Sequence, residues 1–126
     1  MKLILAIAVG GALGAVARYK AGYWLAQVLG HGFPWGTLAV NIIGSFLMGL
    51  LVEGAAVRWH LDGNLKALLM TGLLGGFTTF STFSLDVVTL LQRDQIVLAG
   101  VYLLGSVIVS VLALFLGILL IRWGLS

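Results

Sequence analysis

The residues best suited to chemistry lie in one run: Thr71-Gly72-Leu73-Leu74-Gly75-Gly76-Phe77-Thr78-Thr79-Phe80-Ser81-Thr82-Phe83-Ser84. Paired glycines followed by two threonines favour a local break in a helix. Carbonyls freed at a break can hold a cation, and freed N–H groups can face an anion. Thr79, Ser81, Thr82 and Ser84 form a polar ladder through a greasy segment. Phe80 and Phe83 stand three apart and share a helix face. An aromatic ring carries the positive end of its quadrupole at its edge, so rings presented edge-on favour an anion without trapping it. On the residues alone a plainer reading stays open: the rings fill a core and the hydroxyls bond back to their own helix.

Other polar side chains fall at similar depth. Asn41 sits about five residues into a predicted helix, where it can donate to an anion or bond across helices. Tyr102, Ser106 and Ser110 recur every four residues and form one stripe of a helix. Arg18 lies inside an apolar stretch, and a cation there usually faces a cavity or a partner. Glu53 and Asp86 lie toward helix ends, where headgroups or water are the expected contacts. His31 and His60 fall in predicted loops, at no spacing that suggests a metal site. No nucleophile–base pair is apparent, so an enzyme is not expected. Cysteine is absent, which excludes disulfides, thiolate nucleophiles and thiolate metal sites.

The elements that must position these residues are set by composition. The chain has 126 residues, of which 61% are hydrophobic and 9% charged. Soluble domains carry about 25% charged residues, so lipid must cover much of this apolar surface. One domain is expected. A hydrocarbon core about 30 Å thick needs roughly 20 apolar residues per helix. Four stretches qualify, over about residues 3–29, 36–57, 65–91 and 95–123, the second opened by Pro34. Trp24, Trp35, Trp59 and Trp123 lie near the span ends, where amphipathic rings prefer the headgroup region. Lys2, the apolar run after it and Ala15-Val16-Ala17 imitate a signal peptide, whose cleavage would leave three spans; the expectation is that this segment is kept as the first span.

The formal charge of +3 rests on seven scattered Lys and Arg, with no basic cluster for nucleic acid and no polybasic lipid-binding run. With four spans, Lys2, Arg58, Lys66 and Arg122 share one side, against Arg93, Arg18 and Lys20 on the other. That balance gives almost no orientational preference, so opposed insertion of two copies is expected. Gly10 with Gly14, Gly72 with Gly76, Ser45 with Gly49, and Ala113 with Gly117 repeat the small-xxx-small pattern of close helix packing. Four short helices cannot enclose both a core and a pore, and there is no internal repeat, so any inverted symmetry must come from a second copy.

The run Gly75 to Ser84 resembles the signature of the Fluc (CrcB) fluoride channels, as do Gly36-Thr37-Leu38-Ala39-Val40-Asn41 and Tyr102 with Ser106 and Ser110. The resemblance spans essentially the whole chain. It implies an all-α membrane protein whose third helix is broken mid-membrane, assembled as an antiparallel dual-topology homodimer with two pores. By the same resemblance, Phe80 and Phe83 from both subunits, Asn41, Tyr102 and Ser110 line the fluoride path, with Ser106 on the same stripe. Thr79, Ser81 and Thr82 match its hydroxyl track, and Arg18 the arginine near its vestibule. Gly75 and Thr78 match the positions whose backbone carbonyls hold a structural sodium ion at the dimer interface. Asp86 stands where many relatives have Glu. The implied activity is passive export of cytoplasmic fluoride from a multi-pass protein of the bacterial inner membrane, which protects the cell from fluoride toxicity.

A competing class, the proton-coupled exporters of the small multidrug resistance type, needs an embedded carboxylate in the first helix. That helix has neither Asp nor Glu. A purely structural membrane protein would explain the glycines but not the hydroxyls and rings.

Overall fold

A computed structural model describes residues 1–124 of the chain. All regular elements among them are helical, the form that satisfies every backbone group without water. Four stretches are long and apolar enough to cross a membrane: Lys2–Leu29, Trp35–Val57, Gly63–Gln92 and Ile96–Gly124. The first two are single helices, α1 and α2. The third span begins as α3 (Gly63–Lys66), widens into a π-wound stretch (Ala67–Leu74) and continues as α4 (Gly75–Phe77). Thr78, Thr79 and Phe80 follow, and then α5 (Ser81–Gln92). The fourth span is α6 (Ile96–Leu119) with a π-wound end, Leu120–Gly124.

Each connection has a local chemical reason. Gly30 closes α1 with φ +88°, a conformation that favours glycine, and its N–H bonds the Ala26 carbonyl at 2.9 Å. The Asp62 carboxylate caps α3 by accepting from the Leu65 N–H at 2.7 Å. Between α5 and α6, Asp94 adopts φ +60°, tolerated by a short polar side chain. The N–H groups of Asp94 and Gln95 then return to the carbonyls of Leu91 and Leu90.

Packing follows the small residues. α1 lies along the π-wound stretch and α4, while α2 lies along α6. A Cβ added at Gly72 would sit 2.8 Å from the Ile7 carbonyl oxygen, and one at Gly76 would sit 2.6 Å from that of Gly11. A Cβ at Gly14 would run into the Leu73 carbonyl, and one at Gly49 into that of Leu114. The obstacles are backbone atoms, which cannot swing aside, so these glycines set the helix separation.

At the far end of this frame, Glu53 is buried and paired with Arg122. Arg122 Nε donates to Glu53 Oε2 at 3.1 Å, and a second nitrogen reaches Oε1 at 3.4 Å. Glu53 therefore does not rely on headgroups or water, the contacts expected from its position; a residue 69 places later supplies its partner.

Candidate functional site

The segment from Thr78 to Phe80 is where the chain departs from helical geometry inside its third span. Thr78 is extended, with φ −86° and ψ 160°. Its N–H and its hydroxyl both donate to the Leu74 carbonyl, each at 3.0 Å, so α4 ends on a threonine bonding back along its own helix. Gly44 of α2 leaves room for the Thr78 methyl, where a Cβ would collide with it. The Thr79 hydroxyl then accepts from the Thr82 N–H at 3.2 Å and caps the first turn of α5.

Asn41 supports this segment from α2 with both ends of its amide. Its Nδ2 donates to the Thr79 carbonyl at 2.9 Å, and its Oδ1 accepts from the Thr79 N–H at 2.8 Å. One of its two N–H donors remains. Arg18 reaches across from α1, its Nε donating to the Gly76 carbonyl at 3.1 Å. A cation at a helix C-terminus suits both the unpaired carbonyls and the helix dipole. Among the described residues no hydrogen bond reaches the carbonyls of Gly75, Phe77 or Thr78.

Beside this segment lies a cleft of about 430 Å³, lined among others by Asn41, Thr78, Thr79, Phe80, Phe83, Ser106 and Ser110. Gly75 also lines it, as do Ser45, Met48 and Leu114, whose part the sequence did not suggest. Phe80 is 76% exposed in the single chain, while Phe83 is buried. Their ring centroids are 5.6 Å apart and their planes are tilted by 49°. The Ser106 and Ser110 hydroxyls are buried here and have no hydrogen-bond partner among the described residues. Buried hydroxyls are normally satisfied, and each exception calls for a reason.

The remaining candidates fall elsewhere. Ser81 and Thr82 occupy the first turn of α5 outside the lining of the cleft, with the Ser81 hydroxyl 3.5 Å from that of Thr79. Ser84 bonds back to the Phe80 carbonyl at 3.1 Å. The hydroxyls of Thr78, Thr79 and Ser84 are thus engaged with the backbone of their own span, and among the described residues those both buried and unpartnered belong to α6. Arg18 lines neither the cleft nor the second cavity. That second cavity, of about 280 Å³, lies at the start of α2 and includes His31, Thr37, Asp86 and Arg93 in its lining. His60 lines neither. Tyr102, expected on the fluoride path with Ser106 and Ser110, lines neither cavity; it is fully buried, its hydroxyl donating to Asp86 Oδ2 at 2.9 Å. Its ring lies 5.2 Å from that of Phe83.

Comparison with known proteins adds a family and its members. The pattern of the CrcB family (CrcB-like protein, Camphor Resistance) matches residues 5–118. The fluoride-specific ion channel FluC of Agrobacterium fabrum is 52% identical over 119 residues, which cover 94% of this chain and 95% of its own. That of Rhodospirillum centenum is 52% identical over 122 residues, 97% of each chain. The fluoride-specific ion channel FluC 1 of Nitrobacter hamburgensis is 50% identical over 119 residues, 94% of each.

Proposed function

The chain belongs to the CrcB family, and from that premise we propose that it is a fluoride-specific ion channel whose path runs through the cleft beside Thr78 to Phe83. It is not an enzyme: it lowers a barrier to ion movement and changes no bond. The observation that carries the siting is the pair of buried, unpartnered hydroxyls, Ser106 and Ser110, facing the same cleft as Phe80 and Phe83. Fluoride is small and strongly hydrated, so a dry path must replace its water with several weak donors at once. Two free hydroxyls, the remaining Asn41 N–H and ring edges supply that without a fixed positive charge to hold the ion. Thr79, Ser81 and Thr82 remain candidate neighbours of the path, and Arg18 supports it through the Gly76 carbonyl.

Fluoride enters a cell as the neutral acid and ionises at cytoplasmic pH. A negative-inside potential then drives the anion outward, each 100 mV contributing about 2.3 kcal/mol per charge. No fuel is required. The site of action in this reading is the inner membrane of a bacterial cell.

A second copy completes the reading. Phe80 and Gly75 are exposed in the single chain, which supports an antiparallel homodimer that covers them, in keeping with the balanced Lys and Arg. The carbonyls of Gly75 and Thr78 fit a monovalent cation, since Arg18 and Asn41 engage the neighbouring carbonyls of Gly76 and Thr79 and leave these two unbonded. Sodium held there would screen the converging carbonyl dipoles and brace the break in the third helix.

Purified protein in liposomes should release fluoride rapidly and retain chloride when the membrane potential is shunted. Equal release of both ions, or of neither, overturns the assignment. The chain has no cysteine, so a single His60→Cys substitution reports orientation cleanly. Labelling from both faces is expected; labelling from one face alone rules out the antiparallel pair.

A further inference from the structure

A five-residue connection separates α1 from α2, and connections usually run over the surface. Phe33 does not. Its side chain is half-buried and packs on the cluster of Phe83, Leu90, Ala99 and Tyr102. The backbone directs it there from both sides. Gly30, at φ +88°, turns the chain immediately after α1. Pro34 confines the preceding Phe33 to the extended region, and the Trp35 N–H closes the loop on the Phe33 carbonyl at 2.8 Å.

The ring so delivered meets Tyr102 at a centroid distance of 5.4 Å and an interplanar angle of 88°, an edge-to-face contact. On its other flank Trp35 lies 4.7 Å away. Tyr102 is therefore clamped between Phe33 and Phe83, with 1% of its surface exposed. Phe83 lines the central cleft, whereas Phe33 and Asp86 line the second cavity. Tyr102 itself lines neither cavity, but it touches a lining residue of each: Phe83 of the cleft, and Phe33 and Asp86 of the second cavity.

We propose that Phe33 is a positioning residue for the conduction path, pinning the Tyr102 ring against Phe83 and thereby holding the Tyr102 hydroxyl on Asp86. The inference rests on the proposed fluoride path and on the family resemblance that puts Tyr102 beside it. Phe33 itself touches no ion in this account. It acts through the orientation of one phenol, whose hydroxyl donates to Asp86 in the lining of the second cavity.

The test is a double-mutant cycle read as fluoride efflux from liposomes, with wild type, Phe33→Leu, Tyr102→Phe and the double variant. Leucine keeps an apolar side chain of similar reach but removes the ring edge. An edge-to-face contact of this kind corresponds to roughly a twofold to tenfold change, so Phe33→Leu should slow efflux by about that factor. Phe33→Tyr, which keeps the edge, should restore the wild-type rate. In the Tyr102→Phe background, which has no hydroxyl left to position, Phe33→Leu should cost nothing more. Two results overturn the proposal: Phe33→Leu conducting at the wild-type rate, or slowing both backgrounds equally, which would mark a general packing role. If Tyr102→Phe alone conducts like wild type, the placement of Tyr102 fails and takes this proposal with it. Fluoride conduction by the chain would still stand in that case.

Discussion

Two regions of the third span are built on opposite terms. Along α1, Gly10, Gly14, Gly72 and Gly76 bring backbone against backbone, with no space left for even a methyl group. A few residues on, around Thr78 to Phe83, the same span opens onto a cleft that holds two unpartnered hydroxyls and an exposed ring. The first region is closely packed, although its third-span side is in part π-wound; the second leaves polar and apolar groups without partners among the described residues. Departures from local consistency concentrate at functional or strained sites. The contrast sets a scaffolding seam against the proposed ion path, and the two can be separated experimentally.

The largest effect is expected in the seam. Gly14→Val places a branched side chain where even a Cβ collides with the Leu73 carbonyl and lies 2.8 Å from the Phe77 nitrogen. Neither atom can yield without moving the helix, so overpacking should exceed the usual cost of about 1–3 kcal/mol. No folded protein should elute on size exclusion. A normal elution profile would mean that the seam is looser than these contacts require.

Next comes Asn41→Asp, at the support of the cleft. The carboxylate keeps an acceptor for the Thr79 N–H but loses the donor to the Thr79 carbonyl, and it adds a negative charge beside an anion path. Fluoride efflux should fall by roughly tenfold to a hundredfold, since an unpaired buried polar group costs about 1–3 kcal/mol and the added charge repels the anion. Efflux within a factor of two of wild type would remove Asn41 from the path and from its support.

Replacing Ser106 and Ser110 together by alanine divides function from stability. Neither hydroxyl makes a bond within the described chain, so the change deletes no internal interaction and relieves some desolvation. Thermal unfolding should stay level or rise, while efflux drops about tenfold for the lost donors. A fall in both would show that the hydroxyls serve the fold.

The smallest effect belongs to Glu53→Gln. Arg122 is 56% exposed at its side chain, so solvent screens the pair. Its loss should cost no more than about 1 kcal/mol in thermal unfolding and leave efflux unchanged. A change in efflux would extend the functional region to the end of α2.

Much of this contrast is legible in the sequence, for identifiable reasons. The spans are visible because hydrophobic length is a one-dimensional property. The glycine seam is visible because GxxxG fixes one helix face whatever its partner. The stripe of Tyr102, Ser106 and Ser110 follows from helical spacing. What stays hidden depends on where separate spans meet. Arg18 finds Gly76 58 residues away, and Arg122 finds Glu53 69 residues away; no local pattern encodes either. The hydroxyl ladder misleads for a related reason: residue type alone does not reveal that the Thr79 hydroxyl accepts from the Thr82 N–H and that Ser84 bonds back to the Phe80 carbonyl. Phe33 is hidden by its loop, although Pro34 after it is a signal that its backbone is fixed.

The central claim is that ring edges in the cleft replace water around fluoride, and one measurement addresses it most directly. Fluoride efflux from liposomes should be compared for wild type and Phe80→Ile, with the purified variant eluting as wild type does. Phe80 is mostly exposed in the single chain, so isoleucine leaves the chain's core undisturbed while removing the quadrupole. The account predicts a loss of efflux by orders of magnitude in a folded protein. Efflux at the wild-type rate would contradict it, because a ring that only fills volume is replaceable by any apolar side chain of similar bulk.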